Sequence, residues 1–334
     1  MVLVISNKGD IHCNSVINHF INNGTPYFRL NTETLGIDYR ITFLKNNSSR
    51  PYLEIYNKLN QKLFDSREVT AIWDRRPLSQ SSSDQHDNEL NQIILSEINE
   101  LNLWIRYYFH GSRMIGSSVY DRPNESKIRQ MYLADKILTK NHPIKFPETI
   151  ITNDYDKVID FIKNHEYVAI KPIGSDAYQV DEEHEIPFVS MKTNTAELQK
   201  NLTQNDLDLA PIFLQEYVEK KHELRVTSVG DQHFCCLIDS QKLQSGKGKE
   251  DWREGYDHGL DENQKSITTP EEIEKFCNAY LDAIQANFGC FDFILGEDDK
   301  YYFLECNPNG QWLWLEEDIG LPISKAIADY LINK

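Results

Sequence analysis

Positive charge is scarce in this chain. Across 334 residues, 35 Lys and Arg stand against 52 Asp and Glu, a formal net charge of −17. Sequence-independent binding to nucleic acid runs on phosphate neutralisation, so this balance argues against a nucleic-acid partner. An anionic ligand would have to be met by Lys and Arg gathered locally. The 6 cysteines are scattered, with no Cys-x-x-Cys pair to mark a metal or redox motif. Cys235 and Cys236 sit in the apolar run HFCCLI and read as small buried hydrophobes of a reducing cytoplasm. No run approaches the roughly 18 apolar residues that a membrane span needs, so no membrane partner is expected. The opening MVLVISNKGD lacks a basic n-region and reads as a strand, not a signal peptide. The Gly-x-Gly-x-x-Gly fingerprint of a dinucleotide site is missing after that strand, and no internal repeat is visible.

Apolar residues make up 40% of the chain, ample for a sizeable core and for two or three domains. Residues 2–6 form a β-branched run, 14–23 a helix and 27–30 a second strand, a β-α-β opening of Rossmann-like kind. Residues 40–65 alternate apolar and polar positions, as antiparallel strands do. A short strand at 71–73 runs into Asp74-Arg75-Arg76-Pro77 and a polar loop at 79–88. The adjacent arginines read as a solvated pair, with a place at the rim of a site as the other option. Residues 89–109 carry the clearest helical spacing, at Leu90, Ile93, Ile94, Ile98, Leu101 and Trp104. That face packs on the core or serves a dimer interface.

Beyond a linker at 121–124, cations and acids recur at element ends. Lys127 opens a helix, where the backbone dipole also favours anions. Residues 155–165 read as a helix and 167–170 as a strand, followed by Lys171-Pro172-Ile173-Gly174-Ser175. A lysine at a strand end before a small-residue loop is well placed to meet a phosphate. Residues 176–194 are acidic in the middle and strand-like at 186–191. An apolar strand at 211–218 ends in Gln215-Glu216-Tyr217-Val218, and Glu223-Leu224-Arg225-Val226 lies on the next one. A strand at 232–239 ends in Asp239, and a Gly/Lys-rich loop leads to Asp251-Trp252-Arg253. Helices are expected at 270–287 and 317–333. Taken singly, each of these lysines, arginines and acids is equally a surface or structural residue.

The stretch that gathers them is 289–314, GCFDFILGEDDKYYFLECNPNGQWLW. Cys290, Asp292 and Ile294 share one strand face, and Glu305 and Asn307 share another. With Asp298-Asp299 as a two-residue turn, position 292 falls opposite 305. Two carboxylates and an amide oxygen then meet on one sheet face. Such a pair repels unless a cation lies between, and oxygen-only ligation suits Mg²⁺. A solvated acidic hairpin is the alternative.

The order of Asp292 and then Glu305-Cys306-Asn307-Pro308-Asn309-Gly310 resembles the metal end of the ATP-grasp ligases. Trp73–Pro77, Asp251–Arg253 and Gly310-Gln311-Trp312 resemble the microviridin-type ligases, or graspetide synthetases, within them. The resemblance implies an α/β (α+β) chain: an ATP-grasp fold behind a Rossmann-like pre-ATP-grasp domain. The boundaries expected are 1–122, 123–212 (a lid region) and 213–334. Lys127 and Lys171 match the nucleotide lysines, and Gln215, Glu216 and Val218 the adenine hinge. Arg225 and Arg253 match residues that hold the phosphate or acyl phosphate, and Asp292, Glu305 and Asn307 the metal ligands. Asp239 is a weaker candidate for the base. The family would use ATP and Mg²⁺ to join Asp or Glu side chains of a ribosomal precursor peptide to Thr, Ser or Lys, as a homodimer. Residues 176–194 correspond to where such enzymes hold the peptide's leader. Two other readings stand: an ATP-grasp ligase acting on a small molecule or protein terminus, and a non-catalytic ATP-binding protein.

Overall fold

The computed structural model describes residues 1–47, 50–78, 88–109, 113–116, 126–139, 142–174, 177–179, 185–187, 190–244 and 246–333. The expected linker at 121–124, nearly all of the polar loop at 79–88, Ser175 and most of the acidic run at 181–185 lie outside them.

The first unit runs β1 (Val2–Ser6), α1 (Ile11–Asn22), β2 (Tyr27–Asn31), β3 (Tyr39–Leu44), β4 (Tyr52–Asn57), β5 (Lys62–Asp65), β6 (Ala71–Asp74), α2 (Asn88–Tyr108) and β7 (Arg113–Gly116). Its main sheet is parallel, in the order β2-β1-β6-β7. Strand β1 is buried along its whole length, as expected of a central strand in a sheet covered on both faces. Asp10 starts α1 by accepting the His12 backbone N–H at 3.0 Å, which satisfies a donor that the first helical turn leaves open. Strands β3, β4 and β5 form a separate antiparallel sheet, matching the alternation read at 40–65. On α2 the inward face is set by Ile105, with Ile98 and Leu101 half-buried, whereas Leu90, Ile93 and Trp104 are exposed.

The middle of the chain holds α3 (Lys127–Ile137), β8 (Ile144–Lys145), β9 (Thr149–Thr152), α4 (Tyr155–Ile162), β10 (Tyr167–Lys171), β11 (Ala177–Gln179), β12 (Glu185–Pro187), β13 (Met191–Asn194), α5 (Thr195–Asn201), α6 (Gln204–Leu209) and β14 (Ile212–Glu216). An antiparallel sheet, β13-β10-β14-β9, packs on α4, α5 and α6. Of the strand expected at 186–191, residues 186–187 end β12 and Met191 opens β13, in different sheets. Helix α3 and strand β8 precede this sheet in sequence but pack elsewhere: Leu133, Ala134 and Ile144 belong to the core of the next unit.

That unit holds β15 (Lys220–Val229), β16 (Gln232–Ile238), α7 (Gly246–Glu250), β17 (Gln264–Ile267), α8 (Glu271–Ile284), β18 (Phe288–Gly296), β19 (Tyr301–Asn307), α9 (Leu313–Ile319) and α10 (Ile323–Ile332). Its sheet order is β17-β16-β15-β18-β19-β8. Phe276, Tyr280, Phe291, Phe293 and Phe303 fill one face under α8. The other face shares a core with the first unit, where Val16, Phe20 and Trp73 meet Phe288, Trp312 and Ile327. The single helix expected at 317–333 is two. Gly320, at φ +70°, ends α9 in the left-handed conformation that favours glycine, and Pro322 follows before α10 begins.

The register of the acidic hairpin matches the expectation, but by a different route. Asp292 does lie opposite Glu305, and Cys290 opposite Asn307. The turn, however, has three residues, 297–299, closed by Gly296 N–H to Lys300 O at 2.9 Å. That odd loop would put 292 out of step with 305. A β-bulge between Asp292 and Phe293 restores the alignment.

The turn also needs Asp299 at φ 62°, a conformation that asparagine, aspartate and glycine tolerate and β-branched residues do not. Asp299→Val is therefore expected to cost about 1–2 kcal/mol in urea denaturation, while Asp299→Gly leaves the midpoint level or higher. Equal midpoints for the two variants would contradict this account of the turn.

Candidate active site

A cavity of about 180 Å³ opens between the middle sheet and the last one. Lys127, Lys171, Gln215, Glu216 and Val218 all line it, together with Arg253, Asp292 and Glu305. The sequence order thus converges in space. Lys127 is the first residue of α3, whose N-cap is Ser126, and its ammonium donates to Pro172 O at 2.9 Å. Lys171 ends β10, opposite Phe213 of β14. Burial pushes the Lys171 ammonium down to about 8, with Lys127 and Arg253 adding to the shift and Glu305 opposing it.

Three expected site residues lie outside the cavity wall: Arg225, Asn307 and Asp239. Arg225 sits behind Asp292, donating from Nη1 to Oδ2 at 2.9 Å and from Nη2 to Gln311 O at 3.2 Å. Asn307 is exposed at the end of β19, and its Oδ1 accepts the Asn309 N–H at 3.0 Å. Asp239 is engaged by Lys242 at 2.6 Å. It stands at the far end of β16, near the His222 ring at 3.9 Å. The hinge residues are held through the middle sheet. The Gln215 amide donates to Thr149 Oγ1 at 2.9 Å, and a Glu216 carboxylate oxygen accepts the Glu148 N–H at 3.1 Å.

Arg253 grips Asp251 with two parallel bonds, 2.9 and 2.8 Å, and approaches Glu305 at 3.5 Å. A bidentate pair fixes the guanidinium plane, so Arg253 reaches the cavity in one orientation. Burial pushes the Asp292 carboxyl up, and Glu305 adds to this, against the pull of Arg225 and Arg253. Burial acts on Glu305 in the same sense, yet Arg253, Lys171, Lys127 and Arg225 together hold its carboxyl below the ordinary range. Of the two facing carboxylates, Asp292 is thus the one left short of compensating charge.

Its second oxygen, Oδ1, is buried and has no hydrogen-bond partner. A buried carboxylate oxygen without a donor, beside a second carboxylate, is the donor set a hard divalent cation prefers. Among the described residues no cluster of three or more His, Cys, Asp or Glu could hold a metal ion. The arrangement therefore suits a cation that also takes oxygens from a phosphate ligand, as Mg²⁺ does. It suits a tightly caged structural ion poorly.

Several cavity residues were not singled out from sequence as site residues. Glu223 and Lys220 form a buried pair at 2.8 Å, and Lys220 also donates to Glu250 O at 2.7 Å. A signal for Glu223 existed: two positions before Arg225 on a strand, it must share that residue's face. Tyr217 and Lys192 add a further wall, with the Lys192 ammonium 4.0 Å from the centre of the Tyr217 ring. Gln130, outside that cavity wall, had no such signal. Its side-chain amide pairs with both backbone groups of Cys306, at 2.8 and 2.9 Å, so α3 completes the edge of β19 between Glu305 and Asn307.

The cavity thus sets two lysines and an oriented arginine against a carboxylate pair, between the middle sheet and the last one. Residues 128–331 match the RimK-like ATP-grasp domain, and residues 1–107 match the MvdD pre-ATP-grasp domain. The protein belongs to the RimK-like ATP-grasp family and is an ATP-grasp ligase with an N-terminal pre-ATP-grasp unit. Its fold is similar to that of a RiPP-associated ATP-grasp ligase of Chryseobacterium gregarium, solved with ADP and a leader and core peptide. The two share 26% identity with a TM-score of 0.85, over 99% of this chain and 96% of that one. It is also similar to the macrocyclase MdnC of Microcystis aeruginosa MRC, solved with the precursor peptide MdnA. There the figures are 24% and 0.80, over 100% and 99% of the two chains. The ATP-grasp ligase PsnB, solved with a minimal precursor, Mg and ADP, aligns at 18% and 0.73, over 99% and 96%. No curated protein matches by sequence. Among the described residues, no helix is long and apolar enough to cross a membrane.

The lowered Lys171 ammonium has a measurable consequence. A bound anion favours the charged lysine, so metal-free ADP affinity should be highest below pH 8. It should fall as pH rises through about 8, where free Lys171 loses its proton. For folding the sign is opposite. The unfolded chain holds that proton up to about 10.5, so this group's contribution to stability rises with pH between about 8 and 10.5. Calorimetric ADP titrations from pH 7 to 9.5 check the binding arm, and Lys171→Arg should flatten the profile. A flat profile for the unmodified protein would show that Lys171 does not meet the anion.

Proposed function

We propose that the protein is a peptide-crosslinking ligase. It joins Asp or Glu side chains of a ribosomally made precursor to Thr or Ser as esters, or to Lys as amides, at the expense of ATP. The observation that carries this reading is the cavity itself, where phosphate-type cations and a carboxylate pair with one uncompensated oxygen share a wall. The choice of peptide over other carboxylates is supported by the neighbours of near-full coverage, which were solved with leader, core or precursor peptides.

The chemistry follows from charge. A carboxylate is a poor electrophile. One substrate carboxylate oxygen attacks the γ-phosphorus of ATP, the bond to the β-phosphate oxygen breaks, and ADP departs. The acyl phosphate so formed is then attacked at its carbon by a hydroxyl or amine, which loses its proton, and phosphate leaves with the bonding electrons. Lys127 and Lys171 would hold the phosphates, and Glu216 and Val218 of the hinge would read the base through their backbone. Arg253, oriented by Asp251, would hold the substrate carboxylate and then its acyl phosphate; Arg225, behind Asp292, backs that wall. Asp292, Glu305 and Asn307 would hold Mg²⁺, which when bound draws charge from the transferring phosphoryl group. Asp239, engaged by Lys242 outside the cavity, gains no support as the base.

The units expected at 1–122, 123–212 and 213–334 remain our division of the chain. The β11–β12 hairpin, at the place of the expected leader contact, is our candidate for holding the precursor. A homodimer is part of the same reading, supported by the exposed Leu90, Ile93 and Trp104 of α2. So is a cytoplasmic site, since all the cysteines are free and buried.

The test is mass spectrometry of a Thr-, Asp- and Glu-rich precursor encoded beside the gene, after incubation with Mg-ATP. Loss of one water per bond, matched by ADP release, is the expected result. Nucleotide turnover with free amino acids while the peptide mass stays unchanged would overturn the peptide reading. Glu305→Gln and Asp292→Asn should each lower turnover by at least about a hundredfold, and full activity in either would remove it from the metal site.

A further inference from the structure

Arg75 was read from sequence as one of a solvated pair, and the structure buries it. Its residue is 1% exposed, and burial pushes its guanidinium down to about 10. It lies just past β6 in the first unit but reaches the last one. Its Nη1 donates to Asn309 O at 2.5 Å and to Gly310 O at 3.0 Å. The guanidinium carbon stands 4.6 Å from the centre of the Trp312 ring, and Nε is 3.7 Å from Asp10 Oδ2. The next carbonyl in the chain, Gln311 O, is taken by Arg225, whose other terminal nitrogen holds Asp292. Three successive carbonyls, 309 to 311, are therefore bound by two buried arginines from different units. Gly310 lies so close to Cys290 that an added Cβ would stand 2.4 Å from the Cys290 Cβ and 3.0 Å from Arg225 Nη2. A side chain at 310 would therefore crowd both Cys290 and Arg225.

We propose that Arg75 is a positioning residue for the metal end of the cavity. It pins the Asn309–Gly310 backbone, the pinned loop sets the Arg225 fork through Gln311 O, and that fork turns Asp292 so that Oδ1 faces the cation. This gives the pre-ATP-grasp unit a part in the chemistry that no residue of the ATP-grasp sheets supplies. It rests on the reading of Asp292 and Glu305 as metal ligands. Arginine suits the place because Nη1 alone donates to both carbonyls while the planar guanidinium lies against the Trp312 ring and Nε stays within ion-pair reach of Asp10. Lysine could donate to the carbonyls, but its compact ammonium has no planar face to lay on Trp312 and its stem places the charge differently.

The experiment uses Mn²⁺ as an EPR-visible probe in the full-length protein with ADP, alongside ADP binding without metal. Wild type should bind Mn²⁺ and Glu305→Gln should lose it. Arg75→Met and Arg75→Lys should each bind Mn²⁺ about tenfold more weakly, with altered line shapes, while metal-free ADP binding stays unchanged. If Arg75→Met does not fold, Arg75→Lys, which keeps the buried charge, carries the comparison. Variants with a lower denaturation midpoint but wild-type Mn²⁺ affinity and line shape would overturn the proposal, leaving Arg75 a purely structural residue. If wild type and Glu305→Gln bind Mn²⁺ alike, the metal site itself is misassigned. The proposal then falls for that separate, visible reason.

Discussion

Two carboxylates facing each other across one β-ladder, both drawn out of water, set the terms for everything around them. Burying a charge is costly unless another charge or strong donors meet it. Glu305 has that company in Arg253, Lys171, Lys127 and Arg225. Asp292 has Arg225 on one oxygen and nothing on the other. The imbalance is one that a divalent cation and its phosphate ligand would offset. It also explains why the nearby cations are so tightly held: Arg253 by Asp251, Lys220 by Glu223 and Lys127 by a backbone carbonyl. Freely moving side chains would swing into the carboxylates and neutralise them. Pre-organised ones hold their places, so binding a charged ligand needs little further ordering.

The ligand strand is braced from outside the cavity as well. On one edge, Gln130 substitutes for a neighbouring strand by pairing with Cys306, and it does so from the helix that begins with Lys127. On the other side, Arg75 and Arg225 bind the loop that leaves the strand. Lys127 and Glu305, both in the cavity wall, are thus coupled through a short rigid path. The first unit is part of the same frame, since its helix α1 and Trp73 share a core with Trp312 and α10. An accessory domain would be expected to meet its partner through a wetter, more polar surface.

Much of the architecture was legible because it depends on local pattern. Strand β1 is a wholly buried run rich in β-branched residues, β3 to β5 alternate, and α8 repeats its apolar residues at helical spacing. Where the reading failed, a competing local rule had been overlooked or a distant partner intervened. Gly320 can take a left-handed conformation at no steric cost, and Pro322 cannot continue a helix, so the last helix divides. Arg75 looked solvated because charge usually is. Its burial is bought by Asp10 and by carbonyls more than two hundred positions away. The observed hairpin register is the one a two-residue turn predicts, although the turn has three residues. A three-residue turn and a bulge offset each other, and neither can be seen without the partner strand.

By itself the sequence determined which chemistry was available. The order of its lysines, arginines and acids, each at an element end or on a strand face, is a property of composition and period. Period alone puts Glu223 with Arg225, and Asp292 with Cys290. What tertiary structure decided was which groups meet and which are shut away. It set Arg253 in the cavity wall and Arg225 behind it, and it sent Asp239 to Lys242. It left one oxygen of Asp292 unmatched, and it brought an arginine from the first unit to the loop beside it. Those outcomes depend on the free energy of burying charge in one particular packed environment. No stretch of chain carries that environment within itself.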